Sequence, residues 1–131
     1  MRPDDTIPLG RTGVQVSRLG IGCAWFGNLY QAVPDDIATA VLVRAFEFGI
    51  RLVDTAPLYG FGLAERRIAP ALAHVSRDDF VLSTKVGRRL RARRSDDPPG
   101  LAYDGNGPLF VDAPALHADV PRHVLALRQR L

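Results

Sequence analysis

The stretch GIRLVDTAPLYGFGLAERRIAPAL, residues 49–72, closely followed by RDDFVLSTKVG, residues 77–87, decides how the chain folds. The first opens with a short apolar run, residues 50–54, that ends on Asp54 and passes through a loop holding Tyr59 into a segment of helical periodicity starting near Leu63 or Ala64. The second is another short apolar run, ending on Lys85. Two such runs separated by a helix predict adjacent parallel strands that deliver an acid and a base to the same end of a sheet.

Upstream, TIPLGRTGVQVSRLGIGCAWFGN (residues 6–28) opens with extended-favouring residues broken by GRTG, which predicts a small β-hairpin and then a short strand over residues 17–22. Gly20, Gly22 and Gly27 loosen the chain around Trp25 and Phe26, where a loop can approach a ligand closely. DDIATAVLVRAFEFGI (residues 35–50) predicts a helix capped by Asp35 or Asp36, with Ile37, Val41, Ala45 and Phe48 at helical spacing and Gly49 as its stop. The second helix is expected to run on to about residue 75, kinked or shortened by Pro70, because an interior proline costs about 3 kcal/mol. The order strand, helix, strand, helix, strand is that of parallel β/α units. From Gly87 onward the pattern degrades into Arg, Asp, Pro and Gly, read as a long exposed loop, with one helix expected over residues 120–131.

Composition sets the frame for the chemistry. A chain of 131 residues, 47% hydrophobic and 24% charged, suits one globular domain that buries roughly two thirds of its unfolded surface. No apolar run approaches the ~20 residues of a membrane span, and MRPDDTIPLG places two acids where a signal peptide would be apolar, so a cytoplasmic protein with no membrane partner is expected. The single cysteine, Cys23, excludes an internal disulfide and a cysteine-based zinc site, and reads as a small buried hydrophobe; no metal is expected. Net charge is +3, but five of the sixteen arginines fall in RRLRARR, residues 88–94, which reads as a solvated loop; no nucleic-acid partner is expected. The one lysine, Lys85, is more telling, since Arg serves for positive charge everywhere else.

In parallel β/α folds the loops after the carboxyl ends of the strands gather over one open face, and Asp54, Tyr59 and Lys85 all fall there. Strands about 4.8 Å apart allow Asp54 and Lys85 to pair while Tyr59 reaches back over them. A phenol of pKa near 10 is a poor proton donor at neutral pH unless a cation favours its anion, and a compact ammonium does that. Asp54 would hold Lys85 charged and oriented, giving a general acid and base for a carbonyl and alcohol pair. Each residue alone has an ordinary explanation: a turn-capping Asp, a packing Tyr, a surface Lys. Their joint placement carries the reading.

These same residues resemble the aldo-keto reductase superfamily. DTAPLYG-x-G-x-x-E-R-R with STKVG, and LGIGCAWFGNLY upstream, look most like its aldose and fucose dehydrogenase branch, and the likeness runs over residues 7–89. It implies a (β/α)8 TIM barrel with NADP or NAD across its carboxyl face, bound without a Gly-rich phosphate loop, and hydride transfer to or from a small-molecule carbonyl or sugar substrate. By motif, Asp54, Tyr59 and Lys85 match three of the family's four catalytic positions, with Tyr59 the proton donor in reduction. Gly22, Cys23, Ala24 and Trp25 match the segment beside nicotinamide and substrate: Gly22, Cys23, Ala24 and Asp54 on the cofactor side, Trp25 and Tyr59 on the substrate side. Glu65 is expected to fix the start of the second helix, and Arg66 and Arg67 to cover apolar surface with their stems.

A closed barrel needs about 250 residues, and only three barrel strands are recognisable. The family's fourth catalytic residue is a His after the fourth strand, and the cofactor's adenine and phosphates bind near strands seven and eight. His74 is expected on the outer helical layer, and His117 and His123 lie in the weakly patterned tail without an assigned role. The expectation is a single partial domain over 1–131, with β/α units to residue 90 and a loop and tail over 91–131. On this reading it is a truncated or frame-shifted reductase lacking full activity. The alternative is a noncatalytic remnant or interaction module of the same origin. Three parallel strands without neighbours are expected to leave an unpaired sheet edge.

Overall fold

The computed structural model describes residues 2–87, 89–96, 109–112 and 125–127. The chain opens with the expected hairpin, β1 (Thr6–Pro8) antiparallel to β2 (Gln15–Ser17) with Ile7 opposite Val16. Three strands then lie parallel in the order β3 (Gly20–Gly22), β4 (Leu52–Asp54) and β5 (Val81–Lys85). Their register sets Gly22 beside Asp54 and Asp54 beside Ser83. Helix α1 (Asp35–Glu47) crosses from β3 to β4, and α2 (Leu63–Leu72) from β4 to β5. The hairpin is tied to the amino end of the sheet by buried Ser17, whose Oγ accepts from the backbone N–H groups of Arg51 and Leu52 and donates to the Leu19 carbonyl.

The core lies between the sheet and the helices. Val53 at the centre of β4 is fully buried, and Ala38, Leu42, Ala64, Ile68 and Ala71 pack with it alongside Cys23 and Phe26. Helix α1 is where expected, and Ala45 of the expected apolar set is buried, but the inward face runs on through Ala38 and Leu42 rather than through Ile37, Val41 and Phe48. Leu42 is 0% exposed, whereas Ile37 is 50% exposed, and Val41 and Phe48 are also exposed. The stripe Ile37, Val41, Phe48 lies on the flank of the buried stripe Ala38, Leu42, Ala45, and Ile37 and Val41 line an apolar groove with Trp25, Phe26 and Val33 beside β3. Both stripes obey helical spacing, and small alanines hid the inner one. Asp35 and Asp36 make no capping bond; they sit in the first turn, where the helix dipole favours them. Gly49 does end the helix, at φ 84°.

Helix α2 keeps Pro70 in its last turn and stops at Leu72, short of the expected residue 75, which leaves exposed His74 beyond the helix. Its cap is Gly62, at φ 88°, with no side-chain bond. Glu65 does not fix the helix start: its Oε1 accepts from Thr84 Oγ1 of β5 at 2.9 Å, pinning helix to sheet.

Beyond Gly87 the expectation of a plain loop is corrected. β6 (Arg89–Ala92) pairs antiparallel with β7 (Leu109–Asp112), and Leu90 packs on Phe61 near Tyr59. β8 (Leu125–Leu127) pairs antiparallel with β5, so the expected terminal helix gives way to a strand there and the β5 edge is not bare. The rest of that helix, and His117 and His123, lie outside the described residues. No described helix is long and apolar enough to cross a membrane. The parallel part consists of consecutive β/α units, and its strands do not close into a barrel among the described residues.

The corrected helix face makes a direct prediction for urea unfolding. Leu42→Ala lowers the unfolding free energy by about 2–5 kcal/mol, the cost of a core cavity. Ile37→Ala lowers it by less than about 1 kcal/mol. The reverse order would contradict the face described.

Candidate functional site

Side chains alternate along a strand, so Ser83 and Lys85 share the face of β5 that meets Asp54, while Thr84 turns to α2. Lys85 Nζ donates to Asp54 Oδ2 at 2.7 Å and to the Thr55 carbonyl at 3.0 Å. Ser83 Oγ donates to Asp54 Oδ1 at 2.8 Å, so both carboxylate oxygens are engaged. The pair sits at a rim rather than in the core, with the Lys85 side chain 22% and Asp54 37% exposed. Tyr59, carried by the turn after β4, brings its ring centroid within 5.0 Å of Lys85 Nζ.

Burial pulls the Lys85 pKa down, but hydrogen bonds with Asp54 and then Tyr59, joined by the charges of both, outweigh it and hold the value above the ordinary 10.5. The group therefore stays an ammonium through the neutral range. Cys23 behaves oppositely in character: burial first, then repulsion from Asp54, pushes its thiol from 9.0 up to about 12, against a smaller opposing pull from Lys85.

The expected cofactor-side residues divide. Gly22 ends β3 at the rim, with open space where a Cβ would stand. Cys23 is fully buried, its thiol in the core, so its side chain cannot touch a ligand; its backbone N–H extends the sheet to the Asp54 carbonyl. Ala24 is half-buried and leads into a tight turn, Trp25–Gly27. There Trp25 is 49% exposed and meets Tyr30 edge to face.

Two contributors escaped the sequence reading. Ser83 was legible in principle, since it lies two residues before Lys85 on a strand and must share its face. Arg67, read as a stem over apolar surface, is instead a hydrogen-bonding centre. Its side chain is only 10% exposed, with Nε on Asp35 Oδ1 at 2.6 Å and Nη1 on the Phe26 carbonyl at 2.7 Å and Asn28 Oδ1 at 2.8 Å.

A parallel β/α array with such a polar cluster at the carboxyl ends of its strands has the arrangement of the β/α-barrel class. The chain belongs to the aldo/keto reductase family, whose model matches residues 18–106. It is 48% identical over 94 residues to a D-threo-aldose 1-dehydrogenase of Pseudomonas sp, covering 72% of this chain and 29% of that protein. To the L-galactose dehydrogenase of Arabidopsis thaliana it is 39% identical over 82 residues, 61% of this chain and 26% of the relative. Among solved structures, an aldo-keto reductase of Bacillus halodurans in its holo form superposes with TM-score 0.56 at 37% identity, over 64% of this chain and 26% of that one. The chain thus spans less than a third of the length of these relatives.

The raised values fix the sign of an alkaline effect. Cys23 and Lys85 both hold their protons more tightly in the folded chain: the Cys23 contribution is whole below pH 9.0 and is lost as pH rises through about 12, and the Lys85 contribution, whole below 10.5, is lost above it. Denaturant midpoints should be flat from neutral to pH 9.0 and fall steadily above it. Ellman's reagent should leave Cys23 unreacted in the folded chain at mildly alkaline pH and modify it promptly in denaturant; rapid native modification would contradict the burial.

Proposed function

We propose that these 131 residues supply the acid–base part of an NAD(P)-dependent aldo-keto reductase site, which interconverts a carbonyl and an alcohol on a small aldehyde or a sugar. The observation that carries this reading is the ammonium of the chain's one lysine, held between the Asp54 carboxylate, at 2.7 Å, and the Tyr59 ring. Tyr59 Oη gives its proton to the developing alkoxide in reduction and takes it back in oxidation. Lys85 stabilises the phenolate left behind, and Asp54, itself braced by Ser83, keeps Lys85 charged and aimed. Trp25 forms the apolar wall beside the reacting carbon. The likeness to sugar dehydrogenases favours a sugar lactol over a simple aldehyde.

The rim suits a nicotinamide riboside. Gly22 puts no side chain in the way, and the exposed edge of Asp54 keeps lone pairs that can accept from a ribose hydroxyl. When bound, the nicotinamide supplies or accepts the hydride. Cys23 and Ala24 would serve through their backbone.

A second reading rests on β8. Its antiparallel pairing covers the edge of β5 on which a further parallel strand of the barrel would have to form. On this reading the chain is a noncatalytic remnant in a single partial domain over 1–131.

Titration of NADPH and NADH fluorescence, followed by turnover with an aldehyde and an aldose, separates the two. The enzyme reading expects saturable binding, and turnover reduced in Tyr59→Phe by about 10²–10⁴-fold with binding retained, the share of one general acid. No binding up to millimolar cofactor leaves the remnant.

A further inference from the structure

The turn that carries Trp25 and the turn that carries Tyr59 meet backbone to backbone. A Cβ on Gly27 would stand 2.5 Å from Gly60 N and 2.5 Å from the Tyr59 carbonyl carbon; one on Gly60 would stand 2.7 Å from Gly27 Cα. The Tyr59 turn runs directly into α2, since Ala64 N–H donates to the Tyr59 carbonyl and Leu63 N–H to that of Gly60, each at 3.1 Å. One helical turn later the same helix presents Arg67, whose Nη1 reaches back to the two residues flanking Gly27: the Phe26 carbonyl and Asn28 Oδ1. Asn28 Oδ1 also accepts from Val33 N–H at 2.9 Å, which closes the rest of the loop.

We propose that Arg67 is a positioning residue, a clamp that presses the Trp25 turn onto the Tyr59 turn and so fixes indole and phenol relative to each other across the rim. The residue type fits the task. A guanidinium offers several donors in a rigid fork, so Nε and Nη1 serve three acceptors on two segments at once; a lysine ammonium at the same place cannot span them. The Asp35 bond contributes least, because that carboxylate is 82% exposed and pairs in water. The two oxygens beside Gly27 carry the clamp. Its consequence for catalysis rests on the reductase reading above, but the clamp itself does not.

The chain has one tryptophan, so indole fluorescence, excited at the red edge where its tyrosines do not absorb, reports on this turn alone. In the full chain without cofactor, Arg67→Met should shift Trp25 emission to the red and raise acrylamide quenching about twofold, as a half-exposed indole becomes free while the fold persists. Arg67→Lys should not restore the native spectrum, and Asp35→Asn should leave it unchanged. Asn28 sits at φ 62°, so Asn28→Gly keeps the backbone conformation, removes both side-chain bonds, and should give a smaller shift in the same direction. Native far-UV circular dichroism with unchanged emission in both Arg67→Met and Asn28→Gly would overturn the clamp. If Arg67→Met fails to fold, Asn28→Gly decides alone: a red shift supports the clamp and native emission overturns it. Failure to bind nicotinamide counts against the reductase reading only.

Discussion

The pairing register between β4 and β5 governs the rest of the rim. With Asp54 beside Ser83, the two-residue period of a strand brings both Ser83 and Lys85 to the carboxylate and sends Thr84 the other way, to Glu65 on α2. A slip of one residue would exchange the faces, setting Thr84 against Asp54 and driving the ammonium towards the helix layer. The register is held from both sides: Glu65 fastens the outer face, Val53 fills the core, and Ser17 bonds the start of β4 from below. The ion pair is thus the product of packing several residues away, and it needs little strength of its own.

Around this sheet the apolar surface is unevenly used. The wall between β4 and the two helices is closed, with Leu42, Val53 and Ala64 fully buried. The neighbouring flank of α1 still presents Ile37, Val41 and Phe48, and Trp25 shares the groove lined by Ile37 and Val41. Such a helix has an apolar arc wider than its described neighbours cover. Ile37 and Val41 of this flank look onto the β3 side of the sheet, where Ile21 and Gly22 complete the groove.

Much of the architecture could be read locally. The hairpin at GRTG, the three parallel strands and both helices followed from turn residues and periodicity, and Asp54, Tyr59 and Lys85 met because two short strands end on Asp54 and Lys85 and the turn after the first carries Tyr59. What escaped reading depends on partners distant in sequence. The inward face of α1 was set by what the helix packs against, and alanines carry little signal. Arg67 finds acceptors 39 and 41 residues away, which no local pattern announces. The strands β6, β7 and β8 form by antiparallel pairing across long gaps, β6 in a stretch whose composition reads as loop and β8 in one read as a helix.

The contact of Gly27 with Gly60 also constrains how this site can vary. An overpacked core position is ordinarily relieved by a smaller neighbour elsewhere, and here the neighbour is already the smallest residue there is. Neither position therefore has a compensating change available at the other. The two turns form one unit for natural variation: side chains can change around the crossing point, as at exposed Trp25, but the crossing point itself admits none.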